Sequence, residues 1–127
     1  MAITFQWDNP EKTCIHYQFE SWWTWAELRR VVTEVSETIH SVDGAVDVIV
    51  NPGLSARLSE TGLLRDYNDT GIANADRIKS VVVVGNCSLT NLLFFMFRQI
   101  YSDGESFQIA DSLDKARRVI EQQTHPT

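Results

Sequence analysis

The chain has 127 residues, 43% of them hydrophobic and 22% charged, the balance of one globular domain able to bury its own core rather than of a disordered or disulfide-stapled chain. Its net charge of −6, with Arg29-Arg30 and Arg117-Arg118 as short pairs on helix faces, argues against a nucleic-acid partner, which needs clustered cations. The opening Met1-Ala2-Ile3-Thr4 lacks a basic leader and no stretch reaches the roughly 20 apolar residues of a membrane span, so the expected setting is cytoplasmic, with no membrane partner.

Two alternating runs open the chain. Ile3, Phe5 and Trp7 share one face of the first, and Ile15, Tyr17 and Phe19 one face of the second, with the turn residues Asp8-Asn9-Pro10 between them. The pattern predicts a β-hairpin whose second strand turns Cys14, His16 and Gln18 the other way. A helix follows, with Thr24 as N-cap and Glu27 at capping-box spacing, and Leu28, Val31, Val32, Val35 and Ile39 recur on its inner face. After a turn at 41–44, Val46 to Val50 reads as a strand ending at Asn51-Pro52-Gly53.

Beyond it, Leu63, Leu64 and Tyr67 suggest a helix over 58–67, followed by a polar stretch. The β-branched run Ile78 to Val84, ending in Gly85, is too uniformly apolar for a one-sided strand and belongs inside a parallel sheet covered by helices. The block 89–101 reads as a helix with Leu89, Leu92, Leu93, Met96, Phe97 and Ile100 inward. A last strand, 107–110, feeds a helix capped by Ser112 with Leu113, Ala116, Val119 and Ile120 inward, and residues from 120 to 127 are expected to form a flexible tail. The expected fold is α/β, in the order ββαβαβαβα, a mixed but mostly parallel sheet with an N-terminal hairpin and four helices in one domain spanning 1–127.

Catalytic patterns are incomplete. Gly53-Leu54-Ser55-Ala56-Arg57 follows a strand as a nucleophile elbow does, yet Arg57 stands where the second glycine would sit. His16, His40 and His125 have no evident carboxylate partner to complete a triad. Gly85-Asn86-Cys87-Ser88 joins a strand to a helix without the glycine series or lysine of a phosphate loop, and reads as a cap. Cys14 and Cys87 are lone thiols expected to be buried, and no metal-ligand spacing is present. No metal, cofactor or catalytic residue is assigned, with a hydrolase as a remote alternative.

The element order, the strand ending near Asn51, the apolar strand ending at Gly85 and the F-x-x-A-x-S-x-x-x-A close at Phe107, Ala110, Ser112 and Ala116 resemble the STAS domain. The resemblance is to its anti-sigma factor antagonists, the group like stage II sporulation protein AA, and covers almost the whole chain. That family carries a D-S-[ST]-G-L stretch whose Ser or Thr is phosphorylated by a partner kinase. Ser59-Glu60-Thr61-Gly62-Leu63 is similar to it, with Ser59 and Glu60 in place of Asp and Ser. The resemblance implies Thr61, or else Ser59, as phospho-acceptor; the alternative is a helix cap with Gly62 easing a turn.

Surplus apolar surface is the other clue. Trp22, Trp23 and Trp25 crowd one strand-to-helix junction, and Phe94 and Phe95 fall outside the inward stripe of their helix. These five form a candidate partner or ligand surface; the alternative is that they pack under a loop or over a sheet edge. The leading expectation is a non-enzymatic bacterial regulatory protein acting on a protein partner, a regulatory kinase or anti-sigma-type protein, or on a second copy of itself. The second is a carrier of a small apolar ligand in a pocket lined by Tyr17 and the three tryptophans.

Overall fold

A computed structural model describes residues 3–20, 22–42, 44–53, 57–58, 78–85, 88–100 and 106–124. Strands β1 (Ile3–Trp7) and β2 (Cys14–Phe19) form the expected hairpin, with Phe5 opposite Tyr17. The Asn9 side chain holds the turn, accepting from the Thr13 N–H at 3.0 Å and donating to the Thr13 hydroxyl at 2.7 Å, while Lys12 takes a positive φ of 58°.

After β3 (Trp22–Trp23), helix α1 runs Trp25–His40 and leads into β4 (Val46–Pro52), which lies parallel to β2. Strand β5 (Arg57–Leu58) pairs with β3 in a separate two-stranded sheet. Strand β6 (Ile78–Val84) adds to β4, helix α2 (Ser88–Ile100) crosses to β7 (Ser106–Ala110), and helix α3 (Leu113–Thr124) closes the described chain. The main sheet has the order β1-β2-β4-β6-β7, antiparallel only at the hairpin. The protein is therefore α/β with a mixed five-stranded sheet.

Because β2, β4, β6 and β7 succeed one another in a single direction, right-handed crossovers send α1 and α2 to the same face. There Leu28, Val31, Val32, Val35 and Ile39 of α1, with Leu93, Met96 and Phe97 of α2, bury Tyr17, Phe19 and the valines of the sheet that alternate to this side. Helix α3 covers the opposite face, setting Ala116 and Ile120 on Ile49, Val82 and Val84. A register shift at the start of β4 pairs Val46 with Ile78 but Asp47 with Ser80, so Lys79 is the extra residue of a bulge. That bulge lets Ile78 and Val81 share one face.

Several expectations change. Thr24 caps α1 by accepting the Glu27 N–H at 3.1 Å, but the Glu27 carboxylate reaches the Ile3 N–H at 2.9 Å, tying helix to edge strand where a closed capping box was expected. Helix α3 continues to Thr124, past position 120 where a tail was expected to begin, because Ile120 is still a core residue. Leu58 belongs to β5 and so does not start a helix; the rest of the expected 58–67 helix lies outside the described residues. Three helices are present among the described residues. None of them is long and apolar enough to cross a membrane.

Candidate functional site

The candidate aromatic residues separate into core and surface. Trp22 and Trp23 are consecutive on β3, so strand alternation sends them opposite ways: Trp22 stands 64% exposed and Trp23 is fully buried. Trp23 packs edge-on against Phe19 at 5.1 Å between ring centres, and Phe19 and Tyr17 in turn meet Phe97 at 6.4 and 5.1 Å. Trp23 is thus a core residue and not part of a surface. Tyr17, also fully buried in this ring cluster, is filled in by neighbours where the carrier reading expects a pocket wall.

Trp25 is the first residue of α1. On α2, Phe94 leans against the core while Phe95 points outward, 52% exposed. Ile109 on edge strand β7 is a further exposed apolar residue that the sequence did not reveal, since the short run expected there, 107–110, gives too little periodicity to orient it. Ser55, Ser59, Thr61, Cys87 and His125 lie outside the described residues.

The face beneath α3 holds a polar cluster that the sequence reading did not assemble. Alternation in β2 points Cys14 and His16 to this side, as expected, and β4 and β6 add Asp47 and Ser80. The hairpin turn supplies Asp8 and the outer side of α3 supplies Arg117. Arg117 clamps Asp8 through two hydrogen bonds, Nε to Oδ2 at 3.0 Å and Nη2 to Oδ1 at 2.8 Å, joining residues at opposite ends of the chain. His16 Nδ1 lies 3.7 Å from Asp8 Oδ1, and the Ser80 hydroxyl donates to Asp47 Oδ1 at 2.6 Å.

Electrostatics sets what these groups can do. Burial pushes the Cys14 thiol up to about 12, helped by the carboxylates of Asp8 and Asp47, so it stays protonated and is a poor nucleophile. Burial also lowers the His16 pKa, and the Arg117 cation lowers it further against the opposing pull of Asp8 and a neighbouring Gln18. Its Nε2 makes no hydrogen bond of proper geometry among the described residues, although the residue is buried. The hydrogen bonds donated to Asp8 raise the pKa of Arg117. Among the described residues no three His, Cys, Asp or Glu side chains are placed to hold a metal.

Beside this cluster a cavity of about 620 Å³ opens between the hairpin turn and α3. Cys14, Ile49 and Ile120 form its apolar floor, the Asp8–Arg117 clamp one wall, and Glu11 and Glu121 stand at its edges. Only the outward turn of Cys14 and His16 was legible in sequence; Arg117 lies 109 residues from Asp8 with no motif linking them.

The glycines of the two strand-ending turns, weighed as catalytic loops on sequence, serve packing. The Gly53 N–H donates to the Phe19 carbonyl at 2.7 Å, and a Cβ there would come within 2.9 Å of that oxygen. Gly85, at φ +118°, donates to the Ala110 carbonyl at 2.7 Å and lies against the buried Thr90 hydroxyl. Comparison with protein-family models, with curated proteins and with solved structures gives no match.

Proposed function

We propose that this chain is a STAS-like cytoplasmic regulatory domain that acts by binding another protein rather than by catalysis. The observation that carries this reading is the pair of large apolar side chains held in solvent on ordered elements, Trp22 at 64% and Phe95 at 52% exposure. The hairpin followed by alternating strands and helices is in keeping with the family resemblance, as are the places of its closing motif: Phe107 against the core, Ala110 and Ala116 buried, Ser112 accepting the Lys115 N–H at 3.2 Å. A buried thiol held protonated suits a scaffold better than a nucleophilic site. On this reading a partner kinase would phosphorylate Thr61, or else Ser59, and the partner is that kinase, an anti-sigma-type protein or a second copy of the chain.

Affinity capture from the source cells with wild-type, Trp22→Ala and Phe95→Lys proteins tests it. The captured protein is then purified and its binding to each variant titrated. A partner whose affinity falls at least about tenfold on either substitution, with unchanged melting temperature, supports the reading. Equal binding by all three proteins contradicts it.

A further inference from the structure

We infer that the cavity between the hairpin turn and α3 is a binding site for a small organic cation, an ammonium or guanidinium group on a compact apolar body. Its volume of about 620 Å³ falls in the range of small-molecule sites, roughly 300–1,000 Å³. The floor is apolar and fixed: Cys14 on β2, Ile49 on β4 and Ile120 on α3 are all buried members of the core layer beneath the helix. A thiol held protonated keeps that floor uncharged, so it offers packing and no covalent chemistry.

The charges around this floor are not balanced. Arg117 is the cation of the wall, and its Nε–Nη2 edge holds both Asp8 carboxylate oxygens, so this pair largely offsets itself while three carboxylates line the space against one guanidinium. Glu11 on the turn and Glu121 on α3, both exposed, also line the space, with the Asn9 and Thr13 side chains already bonded to each other. An anion entering here would meet repulsion from both; a cation would meet attraction from both, in a chain whose net charge is already −6. An apolar body then covers Ile49 and Ile120 while the charged head stays near the rim. This site is separate from Trp22 and Phe95, so its failure and that of the partner-binding reading are read by different variants.

The test is methyl and amide NMR titration of the full chain with phenethylamine, hexylamine and agmatine. Each is compared with a neutral alcohol and a carboxylate of similar skeleton. Saturable shifts at Ile49 and Ile120 with at least one amine, at least about tenfold weaker for its alcohol and absent for its carboxylate, are expected. Glu11→Gln and Glu121→Gln should each weaken binding about two- to fivefold, the range for exposed ion pairs, and added salt should weaken it further. Glu34→Gln, on the exposed side of α1, should leave it unchanged. No saturable shift with any of the three amines up to about 10 mM, or amine and alcohol binding alike, overturns the inference.

Discussion

Trp22 and Trp23 differ by one position and by everything that matters energetically. Truncating the buried ring, Trp23→Ala, removes its contact with Phe19 and leaves a cavity, and should cost about 3–5 kcal/mol in denaturant unfolding. Trp22→Ala should stay within about 0.5 kcal/mol of wild type, because the ring it removes is mostly in water. Equal costs would mean that β3 does not alternate as described. The sequence offered no way to choose which of the two faces inward, since a two-residue strand has no period.

His16 makes a second residue-scale prediction. Its folded pKa is lowered, chiefly by burial, so below its ordinary value of 6.5 the unfolded chain takes up a proton that the folded imidazole resists. This site's contribution to stability therefore falls as pH drops from that value towards the lowered folded pKa. Arg117→Ala removes a nearby cation and leaves Asp8 to the imidazole alone, so it should raise the His16 pKa and flatten that dependence. An NMR titration of the imidazole ring protons reads it directly; an unchanged or lower pKa would show that the Asp8–Arg117 clamp does not control this histidine.

At the scale of elements, sequence periodicity was a good guide where one face is buried along many residues. The five inward residues of α1 and the doubly covered β6 are legible because 3.6-residue spacing and an unbroken β-branched run each have one packing solution. Glu27 shows where such reasoning stops: its spacing from Thr24 is that of a local box, but a strand N–H from 24 residues away bonds the carboxylate instead. Joints between elements carry their own constraint. Gly85→Ala would place a Cβ against the Thr90 hydroxyl, which donates to the Val84 carbonyl, at a φ that L-residues rarely adopt. It should cost about 1–3 kcal/mol by chemical denaturation, and a neutral result would mean that the β6–α2 joint relaxes freely.

Across the whole molecule, the sequential strand order places α1 and α2 on one face and leaves the other to α3. The first face closes into a continuous aromatic and aliphatic core. The second joins a smaller apolar patch to a polar cluster drawn from the hairpin turn, the inner strands and the last helix. No local pattern could have announced that cluster, because its members come together only when residue 8 meets residue 117. The aromatic surplus was legible from the start, and its division between core and solvent was not.

The central claim, that the exposed aromatic residues bind a protein partner, is tested most directly by cross-saturation NMR. The captured partner is irradiated and the signals of the labelled chain are followed. Intensity losses should centre on Trp22, including its indole N–H, and on Phe95. Losses centred elsewhere on the chain, with Trp22 and Phe95 untouched, would contradict it.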